Sequence, residues 1–334
     1  MMRPRLPSRA TQTRTLLSSL VLLVLVLSAV LSVGAKGAPL GRGGMTEDTL
    51  SASRSLRPEG GRASAIGQGD ALVAASHEAL LPLILKDYGP AVPFGVQLFA
   101  VDAPIVAQTA QVGAGWVRIP FYWDKVEPVN SAPEYYQWPA DLETRLADLA
   151  ARNIQVILTF TGNPWWAATY AGGPIDKVDI SELTQFMQAA VARYGQAPYN
   201  VKHWEFYNEP DNGDPFYGEQ GYGFFGTQPK AYVDTLKAIY GPMKAVDPQV
   251  QIVFGGIAYD NWIDNEPPGP FIPDFLDRVL DEGGGAYFDV MNFHYYPAFR
   301  HVWDPHGNGI LGKVNFLRRK LAAYGVDKPF LCTE

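Results

Sequence analysis

The 334-residue sequence predicts an α/β fold, in which a parallel sheet is covered by helices. Two observations support this prediction. From Phe94 onward, short apolar segments of strand length alternate with longer amphipathic segments of helix length. Hydrophobic residues make up 47% of the chain and aromatic residues 13%, a composition that suits a large packed core and argues against a disordered chain.

Seven apolar segments are predicted to form the strands. In chain order they are FGVQLF (94–99), GWVRIPF (115–121), QVILTF (155–160), VKHWEFY (201–207), QIVFG (251–255), DVMNF (289–293) and KPFLCT (328–333). Aromatic and polar residues follow these strands, whereas Gly, Asp and Pro follow the segments between them. The strand ends are therefore the places to look for functional side chains.

Five segments between the strands are predicted to be helices. In DLETRLADLAARN (141–153), for example, leucines 142, 146 and 149 recur at helical spacing. The other four are ISELTQFMQAAVARYG (180–195), AYVDTLKAIYGPMKAV (231–246), FLDRVLDEGG (275–284) and VNFLRRKLAAYG (314–325). Of the last three, two are stopped by glycine.

The regular alternation of strands and helices predicts a (β/α)8 barrel, or TIM barrel. A doubly wound open sheet is the alternative, but no Gly-rich phosphate-binding turn follows the first strand in FGVQLFAVD. Only seven units are found, and the sequence stops at Glu334, directly after the seventh strand. Because an incomplete barrel leaves strand edges unpaired, we expect a C-terminally truncated reading frame that lacks strand eight.

The N-terminal part of the chain predicts export. Within residues 1–38, four arginines precede an apolar run from Leu16 to Val33, and small residues follow, as in a secretory signal peptide. An uncleaved signal anchor is the alternative, because the run approaches the length that spans a bilayer. Residues 39–90 are predicted to be a flexible Gly-, Ser-, Ala- and Arg-rich linker that ends in a short apolar leader, LLPLILKDY. The barrel, residues 91–334, is then expected outside the cytoplasm or at the cell surface.

Charge and cysteine content exclude several classes of function. The net charge is −7, and no Lys/Arg run follows the N-terminus, so nucleic acid is not a predicted partner. The single cysteine, Cys332, excludes an intramolecular disulfide; it lies in an apolar strand and is expected to be a buried small residue rather than a nucleophile. His301, Asp304 and His306 lack a recognised metal-binding spacing, so no metal or other cofactor is predicted.

The segment KHWEFYNEPD (202–211) carries the strongest functional signal. An apolar, aromatic strand ends there in Asn208 and Glu209. Burial of an unpaired ionised carboxylate is costly, so a carboxylate at the end of a core strand is a candidate functional group. Glu334 follows the seventh strand in the same way. Because catalytic residues of a barrel lie at the C-terminal ends of its strands, we expect Glu209 and Glu334 to face each other across one mouth.

WEFYNEP, together with the second strand, the residues after the sixth strand and the terminal TE, resembles clan A of the glycoside hydrolases, and families 39 and 5 are the most similar. The resemblance covers about 94–334. It implies a retaining enzyme that cleaves O-glycosidic bonds of a poly- or oligosaccharide by double displacement. From the N-terminal signal we expect this enzyme to be secreted, and we expect it to be a monomer. Glu209 would be the acid/base, Glu334 the nucleophile, and Asn208 a ligand of the hydroxyl beside the anomeric carbon. Family 5 usually has a histidine near the end of strand three, which LTFTGNPWW lacks; this disfavours a typical family 5 cellulase.

The resemblance also implies roles for residues around the nucleophile. Arg118 on strand two is the expected counter-charge of Glu334; the alternative is an interior salt bridge with Glu205. The HYY motif after strand six resembles H-x-Y of the clan, so Tyr296 rather than Tyr295 would contact the nucleophile. His294, the first residue of that motif, would border the sugar site.

Glu205 precedes Glu209 by four residues and points to the same side of a regular strand. We expect it to be structural, as a buried partner of Arg118 or His203.

Aromatic residues after the strands suit the stacking of sugar rings. The candidates are Trp123, Trp165 and Trp166, with packing as the alternative for each, and Asn163 could offer its amide to a sugar hydroxyl. The alternative function is a carbohydrate-binding barrel, or an inactive fragment, that has no catalysis. Contact with the membrane is expected only through an uncleaved N-terminal segment.

Overall fold

The computed structural model describes residues 92–98, 103–213, 224–258 and 270–334, all of which belong to one compact unit, Gly67–Glu334. The predicted signal segment, linker and apolar leader lie outside the described residues. None of the helices within these ranges combines the length and the apolar character needed to cross a membrane.

Seven parallel strands follow one another in chain order. They are β1 (Gly95–Gln97), β2 (Trp116–Tyr122), β3 (Gln155–Thr161), β4 (His203–Phe206), β5 (Gln251–Val253), β6 (Met291–Phe293) and β7 (Phe330–Cys332). β1 to β5 form one sheet and β6 pairs with β7. Single parallel bridges, Val253 to Val290 and Ile257 to Phe293, connect β5 with β6. All seven predicted strands are confirmed, as is the α/β barrel class.

Helices occupy the connections between the strands. They are α1 (Ala103–Gln111), α2 (Trp123–Val126), α3 (Ala140–Ala151), α4 (Ser181–Tyr194), α5 (Pro229–Val246), α6 (Phe275–Asp281), α7 (Arg300–Trp303) and α8 (Ile310–Ala323), with short 3-10 turns at Gly284–Ala286, Pro297–Phe299 and Asp304–His306. The five predicted helices are α3, α4, α5, α6 and α8. The sequence did not predict α1, whose buried residues are only Val106 and Thr109. Two buried positions are too few to give a helical period in the sequence.

The apolar core lies between the helices and the outer face of the sheet. In α4, six buried side chains recur at helical spacing, and Phe186 among them stacks on Trp123 at 5.2 Å and on Phe121 at 5.9 Å. The inner face of the sheet is more polar. Directly paired residues share a face, so the register places Gln97 and Arg118 side by side on that inner surface.

Among the described residues, β1 pairs with β2 and β7 pairs with β6, while no ladder joins β1 to β7. A cavity of about 340 Å³ lies between these two strands and extends to Arg118. Cys332 lines this cavity and is exposed, which corrects the expectation of a buried cysteine. Its thiol donates to the backbone oxygen of Glu334 (3.1 Å).

Candidate active site

The end of β4 has an unusual backbone that presents Glu209. Tyr207 and Glu209 have φ values of 63° and 49°, in the left-handed region that residues other than glycine seldom adopt. The amide of Glu209 donates to the carbonyl of Gly256 (3.0 Å), and its carbonyl accepts from the amide of Asn212 (3.0 Å). These two bonds stabilise the strained turn, because one fixes the amide of Glu209 and the other fixes its carbonyl.

Glu209 and Glu334 meet at the mouth beside His294. The imidazole of His294 is fully buried, and its Nδ1 lies 3.0 Å from Glu209 Oε1 and 3.7 Å from Glu334 Oε2. One carboxylate oxygen of each glutamate lies within 4.8 Å of the other and of the imidazole. The same three groups lie close enough together to act as ligands of one metal ion. The predicted convergence of the two carboxylates is therefore present in the structure.

Glu334 is held by two donors. Arg118 Nη1 donates to its Oε1 (2.6 Å), and the hydroxyl of Tyr296 donates to its Oε2 (2.6 Å). Burial alone would raise the pKa of Glu334, but the charges of His294 and Arg118 and the two hydrogen bonds hold this pKa below its ordinary value. The backbone amide of Tyr295 donates to the backbone oxygen of Glu334 (2.8 Å). Glu334 is therefore prepared as an ionised carboxylate.

The hydroxyl of Tyr296 remains a donor. Burial, followed by the charge of Glu334, raises the pKa of Tyr296 well above its ordinary value. The tyrosine stays protonated over the working range of a protein and can keep its hydrogen bond to the carboxylate.

Arg118 connects four side chains inside the barrel. Its Nε and Nη2 donate to the two oxygens of Glu205 (2.6 and 2.9 Å), and Nη2 also donates to Asn208 Oδ1 (2.6 Å). Its Nη1 donates to Gln97 as well as to Glu334. Although burial lowers the pKa of Arg118, the two carboxylates raise it further, so the guanidinium stays charged. Both predicted interactions of Arg118, with Glu334 and with Glu205, occur together.

Glu205 is saturated with donors. Besides Arg118, its Oε1 accepts from the amide of Gly256 (3.0 Å) and from Asn292 Nδ2 (2.8 Å), and its Oε2 accepts from Thr159 (2.7 Å). The side chain is fully buried. These contacts join β2, β3, β4 and β6 across the interior, which suits the structural role expected for Glu205.

His203 was the other predicted partner of Glu205. Its ring lies edge-on to Trp116, with the centroids 4.9 Å apart. Burial lowers its pKa to about 4, so it is neutral at physiological pH. The hydrogen bonds of Glu205 described above are accepted from Arg118, Thr159, Gly256 and Asn292.

Two predicted sugar contacts are corrected by the structure. Trp123 is fully buried, and it stacks on Phe186 in the layer between sheet and helices, so neither ring face is available to a sugar. Asn163 is also buried, and its amide nitrogen donates to Gly173 O (2.8 Å) while its oxygen accepts from the hydroxyl of Tyr207 (2.9 Å). Both side chains stabilise the exits of β2 and β3 from within.

The other two tryptophans differ in exposure. Trp165 is 75% exposed, so its ring remains a candidate for stacking on a sugar. Trp166 is half-buried, lies edge-on to Trp123, and donates from Nε1 to the carbonyl of Glu127 (3.1 Å).

Four residues near the site were not predicted. Gln97 and Asn292 are polar residues inside otherwise apolar strands. A polar residue at such a position is a signal that the sequence does contain. Asp211 is fully buried and accepts from the amide of Ala258 (3.2 Å); burial and then the charge of Glu209 raise its pKa to about 7. Lys313 is fully buried as well, and a lysine on an amphipathic helix gives no such signal in the sequence.

The family model for cellulase (glycosyl hydrolase family 5) matches residues 94–311. Among solved structures, the chain is similar to a family 39 glycoside hydrolase from Bacteroides cellulosilyticus WH2 (22% identity, 61% of this chain and 39% of that chain, TM-score 0.44). It is also similar to a glucosidase from Croceicoccus marinus (20% identity, 73% of this chain and 52% of that chain, TM-score 0.49). A third similar structure is a GH39 β-xylosidase from Caulobacter crescentus (16% identity, 73% of this chain and 54% of that chain, TM-score 0.49). A search of curated proteins finds no significant match.

The chain spans about half or less of the length of these three solved proteins. The family model, by contrast, matches well over half of the 334 residues. The expected membership of clan A is confirmed, and the missing histidine after strand three does not remove the chain from family 5. The chain therefore belongs to glycosyl hydrolase family 5, one of the families of clan A.

Proposed function

We propose that the protein is a retaining glycoside hydrolase, which cleaves O-glycosidic bonds of a poly- or oligosaccharide through a covalent intermediate on Glu334. The observation that carries this proposal is the convergence of two unlike carboxyl groups. Glu209 and Glu334 have oxygens within 4.8 Å of each other, and of these two carboxyl groups it is Glu334 that accepts from Arg118. Retaining enzymes need carboxyl groups about 5 to 5.5 Å apart, whereas inverting enzymes leave room for a water between them.

In the first step, Glu334 attacks the anomeric carbon of the bound sugar. As the new carbon–oxygen bond forms, the bond to the leaving group breaks, and the leaving oxygen takes the proton of Glu209. Arg118 and Tyr296 hold Glu334 in position and keep it ionised before the attack. Asn208 is fixed through its oxygen by Arg118, which suits its amide nitrogen to contact a sugar hydroxyl.

In the second step, water hydrolyses the glycosyl-enzyme. Glu209, now a carboxylate, accepts a proton from the water as its oxygen attacks the anomeric carbon. The bond to Glu334 breaks, and this carboxylate returns to its contacts with Arg118 and Tyr296. Glu209 is reprotonated in the process and is ready for the next cycle.

We further propose that the protein acts as a monomer outside the cytoplasm. The arginines and the apolar run within residues 1–38 support export. N-terminal sequencing of the protein from the culture medium tests this, since cleavage of a signal over residues 1–38 gives a mature N-terminus near residue 39, whereas retention in the cytoplasm contradicts it.

The hydrolase proposal is tested with the full-length protein on a panel of aryl β-glycosides, including glucosides, xylosides, mannosides and cellobiosides. Glu334→Ala should lose at least about 10⁴-fold in rate. Glu209→Ala should retain cleavage of dinitrophenyl glycosides, and azide should rescue it with formation of a glycosyl azide. Parent-like hydrolysis by both variants would refute the assignment. A parent protein that binds oligosaccharides without cleaving any of them would support a carbohydrate-binding barrel instead.

A further inference from the structure

Residues 256–258, which we name the β5 exit, support both Glu209 and His294. The carbonyl of Gly256 accepts from the Glu209 amide (3.0 Å), and the carbonyl of Ile257 accepts from the His294 amide (3.0 Å). Gly256 also lies against the imidazole, since a Cβ built there would be 2.1 Å from His294 Nε2. The position of the β5 exit therefore determines where the Glu209 backbone and the His294 ring lie.

The β5 exit lies beyond the regular ladder of the sheet. β5 ends at Val253, and isolated bridges join the exit to its neighbours, Gly256 to Asn208 and Ile257 to Phe293. Two buried side chains provide further support at Ala258. Asp211 accepts from its amide (3.2 Å), and the ammonium of Lys313 donates to its carbonyl.

Lys313 binds a second carbonyl at the same place. Its Nζ donates to the backbone oxygen of His294 (2.6 Å) as well as to that of Ala258. The ammonium therefore joins the exits of β5 and β6. It is also placed 4.8 Å from the ring centroid of Trp303, which adds a favourable cation–π contact.

The burial of Lys313 is unusual for its position on α8. The other inward side chains of this helix include Val314, Leu317 and Leu321, which form part of the apolar core. Burial of an ammonium is costly, and an apolar side chain of similar volume would avoid this cost. Such a side chain would lack the donors that join the two carbonyls, so those hydrogen bonds are the distinct contribution of Lys313.

We propose that Lys313 is a positioning residue for the acid/base Glu209. By fixing the carbonyls of Ala258 and His294, it keeps the imidazole in contact with the Glu209 carboxyl. This inference rests on the proposed function. Glu334 lies farther from the imidazole (3.7 Å) than Glu209 does (3.0 Å), and Arg118 and Tyr296 also donate to it, so the loss of Lys313 should impair proton transfer to the leaving group more than nucleophilic attack.

The test compares Lys313→Met with the matched control Lys320→Met. Lys320 is on the same helix, but its ammonium pairs with Asp277, away from the mouth. For each variant, kcat/KM is measured on aryl glycosides that the parent cleaves, with leaving groups that range from dinitrophenol to poorly acidic phenols. The concentration of active sites is determined by titration with a 2-fluoroglycoside that the enzyme turns over slowly. The measured rates then refer to folded enzyme and exclude unfolded protein.

Displacement of a catalytic group by about 1 Å can cost about 100-fold in rate. We expect Lys313→Met to lose about 10- to 100-fold in kcat/KM on the poorest leaving groups and less than about 3-fold on dinitrophenyl glycosides. Lys320→Met should change both by less than about 3-fold. An equal loss on all leaving groups, or none, overturns the role of Lys313 while the proposed function stands.

The failure of the proposed function has a different signature. It is seen when the parent cleaves no glycoside, or when Glu209→Ala keeps the leaving-group dependence of the parent. If Lys313→Met does not fold, Lys313→Gln is measured instead, since it retains one donor at the buried position. The same selective loss in Lys313→Gln supports the inference, and a loss that is equal for all leaving groups overturns it.

Discussion

Glu205 and Glu209 lie four residues apart on β4 and its exit, yet their carboxyl groups have opposite surroundings. Glu205 is fully buried, and its oxygens accept from Arg118, Thr159, Gly256 and Asn292. The Glu209 side chain is 10% exposed, and its Oε1 lies 3.0 Å from Nδ1 of the His294 imidazole. The number of donors is therefore the structural difference between the two carboxylates.

This difference determines what each group can do. A carboxylate that accepts several hydrogen bonds is held in place, and its removal leaves those donors unpaired. Within the described residues, the Glu209 carboxyl contacts the His294 imidazole, so few bonds oppose the transfer of a proton between it and a leaving group or a water molecule. A structural carboxylate should thus be needed for stability, and a reactive one for rate.

Among the variants that test this comparison, Glu209→Gln should have the largest effect on rate. The change removes the proton donor, so kcat/KM on poor leaving groups should fall by about 10²- to 10⁴-fold. The free energy of unfolding should change by less than about 1 kcal/mol, because the carboxyl has few partners. Kinetic measurements and urea denaturation check the two results. A loss of stability as large as the one expected below for Glu205→Gln would contradict the difference between the two carboxylates.

Glu205→Gln should show the opposite behaviour. It leaves the buried Arg118 without its bidentate partner, and breaking one half of a buried ion pair costs about 3 to 5 kcal/mol. Urea denaturation measures this loss. A variant as stable as the parent would contradict the structural role that its donors indicate.

Tyr296→Phe sharpens the comparison at Glu334. It removes one charge-assisted hydrogen bond, and such bonds contribute about 1.5 to 3 kcal/mol. We expect about a 10- to 100-fold loss in kcat/KM on dinitrophenyl glycosides, because nucleophilic attack limits these substrates. Tyr295→Phe is the matched control and should remain within about 3-fold of the parent, since Tyr295 contacts Glu334 through its backbone.

Glu127 extends the comparison to a buried carboxyl with few donors. Trp123 Nε1 donates to it (2.8 Å), but burial raises its pKa from 4.5 to about 7, with a further contribution from Glu134. The folded chain therefore binds this proton more tightly than the unfolded chain, and the free energy of unfolding should decrease as pH rises from about 4.5 to about 7. Glu127→Gln cannot ionise and keeps the acceptor for Trp123.

The free energy of unfolding of Glu127→Gln, relative to that of the parent, should consequently be higher at pH 8 than at pH 4, by on the order of 1 to 2 kcal/mol. Urea denaturation of parent and variant at the two pH values measures this difference. Equal changes at both values would show that the Glu127 carboxyl does not titrate in this range.

The strand order and the two facing carboxylates could be predicted because both depend on local signals. The strand–helix rhythm gives the order, and position at a strand end gives the direction of Glu209 and Glu334. Trp123 and Asn163 were assigned to sugar contacts on the same rule. This failed because a residue just past a strand can turn into the layer beneath the helices, as Trp123 does against Phe186.

Lys313 could not be predicted for a different reason. Its neighbours on α8 show an ordinary amphipathic pattern, and the carbonyls that it binds belong to Ala258 and His294, far away in sequence. Cys332 illustrates the same limit, because its exposure depends on the cavity between β1 and β7 and not on the apolar strand that contains it.

The central claim is that Glu334 forms a bond to the sugar while Glu209 moves the proton. The most direct measurement incubates the protein with the activated 2-deoxy-2-fluoroglycoside of a sugar that it hydrolyses, followed by proteolysis and mass spectrometry of the labelled peptide. The account predicts one sugar per protein molecule, attached to Glu334. A label on Glu209 or Glu205, or steady hydrolysis in which no labelled enzyme accumulates, would contradict it.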